Sequence, residues 1–299
     1  MTRSSRPPAE GPVGFVLSGG GSIGAVQVGM LQALYERGIA PDVLYGASVG
    51  ATNGAFLASR PATSDTADEL ARVWSGLRTR DVFPVSPLTG LLGLLGLRDH
   101  VVSPRRLRRL LEAWLQFETL EQTATPLHVV ATDLLRGEEL RLSTGNALSA
   151  VLASAALPGV FPPVRRGGRV LVDGGVTNNT PLCHAVDAGV RRIYVLPTGY
   201  ACSLEDAPRG AVGVATQSLS VLVQQRLVLD IQRVPEEVEL VVLPPLCPLD
   251  VSPVDFSRGA EMIERSRRQS GEFLDGLAPD GRHEVPDIMR RAGHHHHAR

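Results

Sequence analysis

Lysine is absent from this chain of 299 residues, and every one of its 30 Lys+Arg positions is Arg. That absence excludes several chemistries. No side-chain amine can form a Schiff base with a carbonyl substrate or pyridoxal phosphate. No Walker-A lysine can reach a β/γ-phosphate, and no kinase strand lysine can pair with ATP. A Ser-Lys hydrolase dyad is excluded as well. An excess of charge of one sign is also missing. The 30 basic residues meet 31 acidic ones, for a net charge of −1, which speaks against nucleic-acid binding. The three cysteines, at 183, 202 and 247, show no CxxC spacing. They read as reduced thiols of a cytoplasmic protein, with neither a disulfide framework nor a zinc site. No segment reaches the roughly 18 consecutive apolar residues of a membrane span. The opening MTRSSRPPAEGP lacks the apolar centre of a secretory signal.

What is present has the balance of a globular domain with a large core, 43% hydrophobic and 20% charged. Residues 1–11 read as a disordered lead-in, 12–277 as one domain and 278–299 as a polar tail. The tail holds the run His294–His297, to which no metal site is assigned. Short apolar runs at 13–17, 42–45, 127–132, 192–196 and 238–243 predict buried strands. Helical patterns follow the first two, and a long polar-faced helix is predicted over 256–274. Buried strands alternating with helices favour a mainly parallel sheet covered on both faces, a three-layer α/β/α domain.

Three motifs carry chemistry. Gly46-Ala47-Ser48-Val49-Gly50 is a G-x-S-x-G lying directly after a predicted strand and before a predicted helix. That is the context of a nucleophile elbow, with Ser48 at a helix N-terminus where developing negative charge is favoured. Ser18-Gly19-Gly20-Gly21-Ser22-Ile23-Gly24 also joins a strand to a helix. Consecutive glycines there turn backbone N–H groups toward one point, suiting an oxyanion or a phosphate. Gly19, Gly21 and Gly24 equally satisfy the dinucleotide fingerprint G-x-G-x-x-G. That reading needs an acidic residue ending the second strand, and Asp42 precedes it instead. Third, Val170-Leu171-Val172 delivers Asp173 into Gly174-Gly175. Its bland reading is a loop aspartate capping its own turn.

Together, in this order, the motifs resemble the patatin-like phospholipase family. So do HVVATDLLRGEELRLSTG and the run from Ala153-Ser154-Ala155-Ala156-Leu157-Pro158 to Phe161-Pro162-Pro163. The resemblance implies a patatin-like α/β/α fold related to the catalytic domain of cytosolic phospholipase A2. It implies a serine acyl hydrolase of the phospholipase or lysophospholipase type, acting on an acyl-ester lipid without cofactor or metal. Ser48 is then the nucleophile and Asp173 the base. The oxyanion hole comes from Gly19, Gly20, Gly21, Ser22 and Gly24, and Gly46, Gly50, Gly174 and Gly175 support the motifs. Ile23 departs from the Lys or Arg that many members carry before the last glycine of the loop, which puts the headgroup preference in doubt.

Two rivals stand beside this reading: a dinucleotide- or phosphate-binding protein using Gly19–Gly24, and a catalytically silent patatin-fold scaffold. A Ser-His-Asp triad is a further alternative, because His184 and His283 both follow Asp173. His184 lies where a packed or capping role fits better, and His283 falls in the tail. Finally, LTGLLGLLGL at 88–97 precedes a predicted amphipathic helix. That helix sets Leu107, Leu110, Leu111, Trp114 and Leu115 on one face and Arg105, Arg106, Arg108 and Arg109 on the other. The region 88–115 is read as a cover helix packed on the sheet or as peripheral contact with a membrane surface.

Overall fold

The computed structural model describes residues 11–84, 92, 95–199, 208, 210–247, 249, 251–278, 283–287 and 289. Its centre is a nine-stranded sheet. In chain order the strands are β1 (Val13–Leu17), β2 (Val43–Ala47), β3 (Leu127–Asp133), β4 (Glu138–Leu142), β5 (Val164–Arg166), β6 (Arg169–Asp173), β7 (Arg192–Leu196), β8 (Glu239–Val242) and β9 (His283–Glu284). They lie in the order β5-β6-β3-β2-β1-β7-β8-β9, with β4 also paired to β3. The five pairs from β3 to β9 along this path are parallel. The pairs of β3 with β4 and β6, and of β5 with β6, are antiparallel.

Strands buried on both sides need apolar residues in both alternating positions, and β1 has them. Phe15 and Leu17 enter one core with Leu44, Val129 and Leu196. Val16 enters the other with Tyr45, Ile193, Val195 and Leu240. Helices cover both faces. On the first lie α1 (Ala25–Tyr35), α2 (Val49–Ala58) and the helices Ser64–Gly76, Arg105–Trp114 and Gly259–Asp275. On the second lie Leu182–Asp187 and the buried end of Gly210–Gln232. α1 is buried on nearly every side because Gly259–Asp275 packs over it, with Ser266 Oγ donating to the Val26 carbonyl at 2.8 Å.

Three sequence readings change here. Cys247 is disulfide-bonded and Cys183 is free, so the three cysteines are not all reduced; spacing says nothing of which thiols a fold brings together. The sheet continues past residue 277, since β9 pairs with β8 and Met289 is buried. That strand is held by backbone pairing and carries no apolar pattern to announce it. The helix Gly210–Gln232 has no counterpart in the sequence reading. Most of 88–97, and the run 294–297, lie outside the described residues. Among the described residues, no helix is long and apolar enough to cross a membrane.

Candidate active site

β2 ends and α2 begins on either side of Ser48, whose backbone sits at φ 53°, ψ −123°. Among the described residues Ser48 is the one non-glycine residue with positive φ. Such a conformation costs on the order of 1–3 kcal/mol and persists only where its surroundings enforce it. Two enforcing contacts are visible. A Cβ at Gly50 would lie 2.1 Å from the Leu17 carbonyl oxygen, so only glycine lets the first turn of α2 close onto the end of β1. The Ser48 N–H donates to Ser154 Oγ at 2.9 Å, and that hydroxyl donates to the Val130 carbonyl at 2.6 Å. Ser154 is wholly buried. The strained turn is thereby tied to β3.

Asp173 ends β6 at the level of Ala131 on β3. Its Oδ2 accepts the Ser48 hydroxyl at 2.6 Å and its Oδ1 accepts the Gly175 N–H at 2.7 Å. The carboxyl is buried. Burial disfavours its charged form and pushes its pKa up to about 6, against the opposing pull of the two hydrogen bonds. The turn holding it is fixed by Asp173 N–H to the Ala156 carbonyl at 3.0 Å and Gly174 N–H to the Ser154 carbonyl at 3.2 Å. The Ala153–Pro158 segment therefore braces both Ser48 and Asp173.

The glycine loop closes the third side. A Cβ on Gly19 would lie 2.9 Å from Ser48 Cβ and 2.3 Å from Asn179 Oδ1, so the loop passes directly against the serine. Gly19 gives its N–H to the Asn179 carbonyl at 2.9 Å, and Ser22 gives its own to the Pro253 carbonyl at 2.8 Å. Gly24 ends the short 3-10 turn Gly21–Gly24. The amides of Gly20 and Gly21 have no acceptor among the described residues. Ile23 packs against the core, so an apolar side chain there fills space that a cation could not share cheaply. Behind the loop, Gln27 Nε2 donates to the Ser18 and Leu196 carbonyls at 2.8 and 2.9 Å. Asn53 Nδ2 holds Gln27 Oε1 at 2.9 Å, and Trp74 Nε1 holds Asn53 Oδ1 at 3.0 Å. Ser154, Asn179, Gln27 and Asn53 escaped the sequence reading because each is polar within an otherwise ordinary helix or turn. Ser154 did lie in a segment already singled out.

The described histidines are engaged elsewhere. His184 bonds Glu139, His283 shares a hydrogen with the Val238 carbonyl, and His100 bonds Asp99. His128 stacks on Tyr45 with ring centroids 4.8 Å apart. Among the described residues no imidazole stands between Ser48 and Asp173. Asp42 accepts the Val13 N–H at 2.7 Å, at the amino end of the sheet, away from the glycine loop. Glu139, Cys183 and His184 bring ligand atoms within 4.8 Å of one another. There Asn178 Nδ2 donates to Glu139 at 2.9 Å and to Cys183 Sγ at 3.3 Å, so the group already forms a hydrogen-bonded set.

A strained serine between a parallel strand and a helix, against an aspartate and a glycine loop, defines the nucleophile-elbow class of α/β proteins. The family description "Patatin-like phospholipase" matches residues 15–186. The chain belongs to that family, a family of lipid hydrolases and esterases. An NTE family protein of Mycobacterium tuberculosis is 29% identical over 198 residues, 63% of this chain and 32% of that protein. The neuropathy target esterase sws of Drosophila melanogaster is 29% identical over 189 residues, 62% of this chain and 13% of that one. The chain thus spans a third or less of these relatives. The structure of VipD from Legionella pneumophila aligns with 88% of this chain and 67% of its own, at 18% identity and a TM-score of 0.42.

Proposed function

We propose that this protein is a serine acyl hydrolase of the phospholipase A or lysophospholipase type, cleaving acyl esters of lipids. The reading rests on the 2.6 Å hydrogen bond from the strained Ser48 hydroxyl to Asp173. Ser48 Oγ attacks the acyl carbonyl as its proton passes to Asp173. The Gly20 and Gly21 amides, which lack other acceptors among the described residues, receive the oxyanion, aided by the N-terminus of α2. The alcohol leaves with the proton from Asp173. Water then attacks acyl-Ser48, its proton goes to Asp173, and collapse frees the fatty acid and restores the hydroxyl. A carboxyl with a pKa of about 6 is a stronger base than an ordinary aspartate and is still ionised at neutral pH. No step calls for an ammonium group, in keeping with a chain that has none. The test is hydrolysis of p-nitrophenyl esters, followed by a panel of phospholipids and lysophospholipids. Ser48→Ala and Asp173→Asn are each expected to lose on the order of 10³-fold or more in kcat. Equal rates for wild type and both variants would remove the pair.

A further inference from the structure

The helix Gly210–Gln232 connects β7 to its parallel neighbour β8, so it runs from the carboxyl end of the sheet back to the amino end. At 23 residues it is about 34 Å long, twice the ~17 Å of a five-residue strand. Among its described residues the buried ones all lie late: Leu227, Val228 and Asp230. Arg226 bonds Asp230 at 2.8 Å and reaches the Thr177 carbonyl at 3.4 Å. Thr177 follows Asp173 by four residues and touches Thr132 near the end of β3. The helix before Arg226 therefore stands beyond the carboxyl edge of the sheet, on the side of Ser48 and Asp173.

The part before Arg226 is unusual in kind. From Gly210 to Gln225 the sequence contains no charged residue, and none of the described side chains before Leu227 is buried. Val214, Leu219, Val221 and Leu222 are exposed, Leu222 at 68%. At 100° per residue these four spread over about 160° of the helix circumference, with the uncharged Ser218 and Gln225 exposed among them, wider than the narrow seam of a helix pair. Val176 beside Gly175, 56% exposed, and Leu157 extend the apolar surface toward the dyad. Water is a poor neighbour for such a surface. Residues 210–225, about 24 Å of helix, are too short to span a bilayer.

We propose that residues 210–225 are the element by which this protein docks on a phospholipid surface, the helix lying in one leaflet and bringing the Ser48–Asp173 edge to the acyl esters. A lipid surface takes a broad uncharged apolar face without requiring matched charges. The biological purpose of the docking rests on the acyl hydrolase reading, while the docking itself does not. The test is flotation of the full chain with phosphatidylcholine–phosphatidylglycerol vesicles. Leu219→Glu/Leu222→Glu is expected to cut the vesicle-bound fraction about tenfold or more. It should leave p-nitrophenyl butyrate hydrolysis unchanged and lower hydrolysis of vesicle phospholipid. Ser48→Ala is expected to float like wild type, so a failure of the hydrolase reading shows as absent esterase activity with docking intact. The proposal is overturned if the wild type does not float or if the double variant floats equally well. It is also overturned if light scattering shows that the double variant turns a wild-type dimer into a monomer without changing vesicle binding.

Discussion

Ser48 and Leu222 stand at the same edge of the sheet and are held in opposite ways. Ser48 is over-determined. Its φ of 53° is enforced by Gly50 against Leu17, by Ser154 through its N–H and by Asp173 through its hydroxyl. Leu222 is under-determined, since its side chain is exposed and the described buried residues of its helix begin only at Leu227. The difference shows where each residue type is decided. At the candidate site the rest of the chain fixes the serine through its backbone, its hydroxyl and the glycines beside it. On the outer side of the helix before Leu227 the described contacts dictate little, and Val214, Leu219, Val221 and Leu222 stay exposed there. The contrast predicts large effects at one place and small ones at the other.

Among residues that only support the serine, the largest effect is expected at Gly50. A methyl group 2.1 Å from the Leu17 carbonyl oxygen can be accommodated only if the backbone moves. Gly50→Ala should cost about 3 kcal/mol or more in denaturant unfolding and, where it folds, about 10²-fold in kcat through misplacement of the serine. Wild-type stability with wild-type kcat would show that the elbow is looser than its geometry implies.

Asp173 comes next, and its sign differs. The folded carboxyl keeps its proton to about pH 6, whereas an unfolded one releases it near 3.8. The folded state therefore loses stability as pH climbs between those values, and above pH 6 the deficit is complete, about 3 kcal/mol at most. Asp173→Asn should thus be more stable than wild type at pH 8 by about 1–3 kcal/mol, the gap closing toward pH 4. Activity moves the other way, because the base must be ionised: kcat/KM should fall about tenfold per pH unit below roughly 6. An acid limb near pH 4, or a variant less stable at pH 8, would contradict the burial argument.

Ser154→Ala is a smaller change. It leaves the Ser48 N–H and the Val130 carbonyl without their partner hydroxyl, at about 1–2 kcal/mol and a kcat loss of about tenfold. Ser154→Thr, which keeps the hydroxyl, should recover more of the rate than of the stability. If Ala and Thr reduce kcat equally, Ser154 acts by volume and not through its bond.

The candidate site was far more legible in the sequence than the helix Gly210–Gln232 was. Gly46 to Gly50, Gly19 to Gly24 and Asp173 follow short apolar runs, and such runs mark buried strands well. β1 and β7 match their expected spans, 13–17 and 192–196. Ser154 and Asn179 were not legible as supports, because a small polar residue in a helix or turn has no signature until the fold shows its partner. The helix Gly210–Gln232 was missed for the opposite reason: it has no periodic stripe, and a stripe is the signal by which helices are read. The helix that has one, Arg105–Trp114, buries Leu107, Leu111 and Trp114 in the core, which is what a cover helix does. The apolar pattern there reports packing. Its arginines are partly spent within the protein, Arg106 on the Arg80 carbonyl at 2.8 Å.

The smallest expected effect is therefore the most telling about the two kinds of leucine. Leu111 is fully buried and Leu222 is 68% exposed. Leu111→Ala removes packed methyl groups and leaves a cavity, at about 2–5 kcal/mol. Leu222→Ala removes the same atoms from contact with water, and its unfolding free energy should stay within about 0.5 kcal/mol of wild type. Shortening that side chain could even improve solubility slightly, since it removes exposed apolar area. The pair is measured by urea unfolding at one protein concentration, then at a tenfold higher one. A Leu222→Ala cost as large as that of Leu111→Ala would mean the helix is packed against protein in solution. If that cost appeared only at the higher concentration, the packing would be against a second copy. A negligible cost at both concentrations leaves Leu222 with no folding role, so that its presence has to be explained by a surface outside the chain.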